Sequence, residues 1–250
     1  MLARFGRAGR RRVPAAGPVA HRQYSNVRAW PQSPEVLALL QAELAERPVT
    51  LWRPSGRFTV GGCFVCFAQA QAGLGEAGDL GWAGAALGDE EAVAWGPAPS
   101  AYEAGLLALR EGPLLERAVR RLAELPDVLL VNATGRDHPR RAGLALQLGV
   151  VLEVPTVGVT HRPLLASGEW PADERGATSP LVLEGELVGY WLRTRRGTRP
   201  LAVDAAWRTG PQVAVEVVLG ATERSRTPEP IRLARAAARV SRTSRARSVR

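Results

Sequence analysis

Four consecutive apolar residues, Val128, Leu129, Leu130 and Val131, run without a break into the densest polar stretch of the chain, Asn132 to Arg141. A strand with no alternation of apolar and polar residues is covered on both faces, so this run predicts a buried central strand between two layers of helices. Thr156 to Val159 is a second run of the same kind. Between the two, Ala142 to Leu152 reads as a helix. A strand, helix, strand order with apolar strands argues α/β.

The flanking segments extend that pattern. Ser33-Pro34-Glu35 opens a helix, with Ser33 as cap, Pro34 in the first turn, and Val36, Leu37, Leu40 and Leu44 at helical spacing. Strands are predicted at Phe58 to Phe67, Leu80 to Leu87 and Ala92 to Trp95. A long helix follows from Gly105 to Ala123. Leu181 to Val188 reads as a hairpin turning at Glu184-Gly185. A strand at Leu201 to Val203, a helix from Pro211 to Leu219 and an arginine-studded helix from Pro230 to Val240 complete a mixed sheet flanked by helices. One domain is expected over 31–240, between a flexible arm at 1–30 and a disordered basic tail at 241–250.

Composition removes several classes. Two cysteines, Cys63 and Cys66, exclude a disulfide scaffold. Positions three apart on a strand face opposite sides, so the pair does not converge on a metal. No apolar run is long enough for a transmembrane helix. All 33 basic residues are arginine, so a Schiff base, a Walker-type P-loop and a lysine base are excluded. The net charge of +9 is unevenly spread: +7 on residues 1–30, +8 on 224–250, and −6 between them. The cationic ends suggest nucleic acid as a partner. The acid-free start resembles a mitochondrial transit peptide or is an unstructured arm, and a cytoplasmic location is the expectation for the domain.

The polar stretch is the first candidate site, because ligands of open α/β sheets gather at the carboxyl ends of strands. Gly135 allows close backbone approach. His138 and Pro139 are placed just before a helix N-terminus, which favours an anion, and Arg140 and Arg141 add bidentate donors for phosphate. Asp137 is read as the cap of that helix, with metal ligation as its alternative.

The run from Asp127 to Ala145 resembles the signature segment of the endonuclease V family, D-x-x-x-[VL]-D-G-x-G-x-x-H-P-R-x-x-G-x-A. Trp30 to Glu35, Tyr102 to Pro113, Pro155 to Val159, Gly185 to Gly189, Arg193-Thr194 and Thr227 to Pro230 are similar to further family segments, in the same order. The resemblance covers about residues 29–240. It implies an RNase H-like fold. It also implies Mg²⁺-dependent cleavage of the second phosphodiester bond on the 3′ side of a deaminated base, chiefly hypoxanthine, by clustered carboxylates.

Carried over residue by residue, the resemblance departs at the metal site. Phe64 stands at the first family aspartate and Asn132 at the third, while Glu111 retains the second carboxylate. His161 takes the place of a lysine, His138 is kept, and the histidine expected near Asp204 to Trp207 is absent. At an effective dielectric of about 20, a dication about 4 Å from a carboxylate gains on the order of 8 kcal/mol before desolvation. Losing two such contributions leaves Mg²⁺ binding weak. The catalytic candidates are therefore Glu111, Asn132, His138 and His161, with Glu111 and Asn132 the only candidate ligands for Mg²⁺, should hydrolysis persist. Tyr102 matches a wedge residue, and Gly105, Leu107, Gly135, Leu144 and Gly158 map to a base pocket, with Arg140 beside it. Three readings follow. The first is a monomer that binds DNA or RNA containing inosine with lost or impaired hydrolysis. The second is an active endonuclease with a rearranged metal site. The third is a protein-interaction scaffold.

Overall fold

In the computed structural model, residues 29–68 and 75–248 are described, with side chains through residue 244. The arm expected at 1–30 lies almost wholly outside them. Helix α1 (Pro34–Glu46) starts as its sequence predicts, with the Ser33 hydroxyl accepting the Val36 N–H at 3.3 Å. Strands β1 (Val60–Phe67), β2 (Leu80–Leu87) and β3 (Glu90–Pro97) form an antiparallel meander, and helix α2 (Leu107–Val119) follows. The next elements are β4 (Val128–Val131), α3 (Leu144–Leu152), β5 (Thr156–Thr160), β6 (Thr178–Leu183), β7 (Glu186–Leu192), β8 (Leu201–Ala205), α4 (Pro211–Gly220) and α5 (Glu229–Ser248).

The strands make one eight-stranded sheet, in the order β3-β2-β1-β4-β5-β8-β7-β6. Only β1, β4 and β5 run parallel, at its centre. The predicted two-sided burial of β4 holds residue by residue. Leu129 and Val131 join Leu37, Leu114 and Leu148 in a core under α1, α2 and α3. Val128 and Leu130 join Val217 and Ile231 in a second core under α4 and α5. The hairpin turn at Glu184-Gly185 has two positive φ angles, 52° and 83°, the backbone that a two-residue loop between twisted strands requires.

Three helix boundaries depart from the sequence reading. Helix α2 begins at Leu107 rather than Gly105, because Gly105 sits at φ +80°, outside helical geometry. Helix α3 begins at Leu144, so the residues from Asp137 to Arg141 are a looped excursion and not a helix start. Helix α5 continues through Ser248, past Val240 and across most of the segment expected to be a disordered tail. Its alanines and arginines are strong helix formers, and after Pro230 in the first turn no glycine or proline stops them.

Helix α5 lies directly on β1 and β2, and this explains Gly62 and Gly84 in those strands. A Cβ at Gly62 would stand 2.4 Å from Pro230, and one at Gly84 would stand 2.0 Å from the Ala234 carbonyl oxygen. Phe64 pairs with Gly84 in the sheet register and so faces the same helix.

Candidate nucleic-acid site

A cavity of about 200 Å³ opens at the carboxyl ends of β4 and β5. That is below the roughly 300–1,000 Å³ of a drug-sized ligand site and on the scale of a single base. Tyr102, Gly105, Leu107, Asn132, His138 and Leu144, all predicted from sequence, line it. Gln41, Thr134 and Arg162 line it too and were missed. Gln41 left a legible signal: it is a polar residue inside the Leu37, Leu40, Leu44 stripe of α1, and it is buried.

One carbonyl organises the cavity wall. Gly105 O accepts His138 Nε2–H at 3.0 Å, the Arg140 guanidinium at 3.3 Å and the Gln41 amide at 3.4 Å. His138 Nδ1 accepts the Arg140 backbone N–H at 3.1 Å. Burial pushes the imidazole down to about 4, so it is neutral and acts here as a tie between two loops. The side chains of Arg140 and Arg141 are turned inward, contrary to the phosphate-facing role expected of them. Arg140 also bonds Gln41 at 2.7 Å. Arg141 reaches the hairpin at the Leu183 carbonyl and Glu184. The loop is held back on the sheet by β8, where the Ala205 carbonyl accepts the Arg136 N–H at 2.8 Å.

Two aspartates pin that loop. Asp137 does not cap a helix. Its carboxylate accepts the N–H groups of Leu164, Leu165 and Ala166 at 2.5–2.8 Å, fixing the far wall of the cavity. Asp204, fully buried on β8, accepts the N–H groups of Gly135 at 2.6 Å and Asp137 at 3.1 Å. Burial pushes its acid up to about 7. Gly158 is needed for this peg, since a Cβ there would stand 2.1 Å from the Asp204 carboxylate. Gly135 is pressed against Ala205 and Ala206 in the same way. Neither glycine lines the cavity. Their role is close packing behind it, a correction to their predicted place in the pocket. Asp204 was missed because a lone acid in an apolar strand carries no motif.

The remaining catalytic candidates are spread around β1. Asn132 lies at the cavity floor, and its amide donates to the Val159 carbonyl at 2.9 Å. Glu111 is half-buried, and among the described residues no hydrogen bond or ion pair holds its carboxylate. Burial pushes that acid up to about 7, and burial, with a smaller contribution from Glu111, raises the Cys63 thiol. Glu111 therefore sits on the α2 side of β1, where Cys63 points. Phe64 points to the α5 side, its ring under the guanidiniums of Arg235 at 4.9 Å and Arg239 at 6.0 Å. His161 is exposed just beyond β5, lowered by partial burial and by Arg226 and Arg235. These donors do not fit a divalent cation: Phe64 offers no ligand atom, Asn132 offers one neutral oxygen, Glu111 is a lone carboxylate on the other side of β1 from Phe64, and the charges beside Phe64 are cationic.

Comparison with known proteins places this geometry. The endonuclease V family model matches residues 62–236. Endonuclease V of Methanopyrus kandleri is 44% identical over 154 residues, 60% of this chain and 66% of that protein, so the match spans just under two thirds of the relative's length. The crystal structure of endonuclease V from Streptomyces avermitilis is 31% identical, covers 87% of this chain and 96% of its own, and superposes with a TM-score of 0.75. Endonuclease V of Ciona intestinalis, solved with a 24mer DNA containing an inosine followed by a ribo-adenosine, shares the fold with a TM-score of 0.67 at 19% identity, over 84% of this chain and 98% of that one.

Proposed function

The chain belongs to the endonuclease V family and has its RNase H-like fold, and on that premise we propose that it binds inosine-containing DNA or RNA without efficient phosphodiester hydrolysis. The observation that carries this reading is the asymmetry between pocket and metal site. The cavity is walled by glycine, leucine and tyrosine, and braced by buried hydrogen bonds to Gly105 and from Asp137. Such bracing fixes a shape for a flat, extruded base. In mid-β1 and just past the end of β4, two of the three positions where the family keeps metal-binding carboxylates hold Phe64 and Asn132.

Hypoxanthine differs from guanine by lacking one exocyclic amino group, so a tight pocket discriminates by having no room for it. A cavity of about 200 Å³ suits that mode of selection. Fluorescence anisotropy with single-stranded oligonucleotides that differ only in inosine or guanosine at one position tests the proposal. Tighter binding of the inosine strand, lost in Leu144→Trp, is the expected result. Equal affinity for the two strands, unchanged by Leu144→Trp, contradicts it.

A further inference from the structure

Helix α5 carries arginines at 232, 235, 239 and 242, spaced so that they share a face. Arg232 is paired with Glu229, and Arg242 donates to the Phe67 carbonyl. Arg235 and Arg239 have no carboxylate partner among the described residues, and Arg235 Nε is buried without a hydrogen-bond acceptor. Arg226 joins them from the loop before α5, tethered to the carbonyls of Arg199 and Pro200. Burial, Arg199 and Arg235 disfavour the charge on Arg226, and burial and Arg239 disfavour that on Arg235. His161, at the end of β5, feels both. Like charges brought together without a counter-charge cost free energy in the isolated protein. Such an assembly is stabilised when an anion occupies it.

Phe64 is the floor of this group. A guanidinium stacked on an aromatic face keeps its edge N–H groups free and its plane fixed, the arrangement suited to bidentate contact with phosphate. The group adjoins the base cavity: Asn132 lines the cavity and bonds Val159, on the strand that ends beside His161.

We propose that Arg235 and Arg239, lying over the Phe64 ring, form a metal-independent clamp for the backbone phosphates of a nucleic-acid strand whose base occupies the neighbouring cavity. This inference rests on the base-binding reading for its choice of ligand. The residue that removes a metal ligand becomes the platform for a phosphate-binding cation. The strand is gripped where the family's architecture would hold a metal, and the grip needs none.

The test uses the full chain and fluorescence anisotropy with a labelled single strand containing inosine, and with its guanosine counterpart, in EDTA and in Mg²⁺. The clamp predicts the same affinity, within about twofold, in EDTA and in Mg²⁺. It also predicts that Arg235→Gln/Arg239→Gln weakens both strands by about tenfold and lowers the slope of log affinity against log salt by about 2. Phe64→Leu, which keeps an apolar core contact, weakens both strands by a smaller factor. Circular dichroism melts establish that each variant is folded. Binding that requires Mg²⁺, or a double variant with unchanged affinity and salt slope, overturns the clamp. Loss of the inosine preference with the arginine effect intact overturns the base-pocket reading and leaves the clamp standing. Retardation of neither strand at low salt overturns both.

Discussion

His138 has no position left for a second proton: Nε2–H is given to Gly105 and Nδ1 accepts the Arg140 N–H. Its folded pKa of about 4 lies below the roughly 6.5 of an unfolded histidine, so its contribution to stability is complete above 6.5 and is lost as pH falls toward 4. The advantage of wild type over His138→Asn in urea denaturation is therefore expected to shrink, by on the order of 2–3 kcal/mol, between pH 6.5 and pH 4. A constant difference over that range would show that the imidazole is not held neutral. Glu111 has the opposite sign. Its folded pKa of about 7 is raised above its ordinary value, so its contribution is complete at acid pH and is lost as pH rises through 7. Glu111→Gln is expected to stabilise the protein at pH 8 by up to about 3 kcal/mol and to have little effect near pH 4. Destabilisation by Glu111→Gln at pH 8 would mean that a cation holds the carboxylate. Asp137 meets three backbone N–H groups with one carboxylate. Asp137→Ala is expected to cost about 3 kcal/mol or more and to raise amide hydrogen exchange at Leu164 to Ala166. Unchanged exchange there would separate Asp137 from the cavity wall.

Elements were more legible than the contacts between them. The β4 run and the Glu184-Gly185 turn are local patterns, and both appear as predicted. Helix α3 was placed two residues early, since nothing local announces that Gly143 must press against the Thr134 carbonyl before the helix can start. The glycine and alanine content of β2 was visible, but its cause, a helix from 150 residues later lying on the strand, is a tertiary fact. That contact is testable. Gly84→Ala puts a methyl group against the Ala234 carbonyl, forces α5 away from β2 and is expected to cost about 1–3 kcal/mol in urea denaturation. Because α5 carries Arg235 and Arg239, the same variant is expected to weaken oligonucleotide binding even where it remains folded. Full stability with unaltered binding would show that the helix has room to move.

At the scale of the whole molecule, the site is divided between the two faces of one sheet. Glu111 lies on the α2 face with Cys63, and Phe64 with its arginines lies on the α5 face. Sequence could name the positions that had lost carboxylates, because the family motifs fix their register along the chain. It could not show that Arg235 fills the space over Phe64, because that requires knowing which strand α5 crosses. It likewise misread Arg140 and Arg141 as outward-facing, since their partners are 35 to 99 residues away in the chain. The cationic surplus of the last segment thus acquires a place in the fold through α5, while Asp137 and Asp204 act as structural acids that pin the loops around the cavity. The central claim is that this architecture binds the modified base without cutting the strand. The most direct measurement is a single-turnover time course with excess protein and an end-labelled inosine strand, run in Mg²⁺ and in Mn²⁺ and resolved for both complex and product. The account predicts a stable complex with no product above the no-protein control. A 3′-side cleavage product that forms with metal and disappears in Glu111→Ala would contradict it.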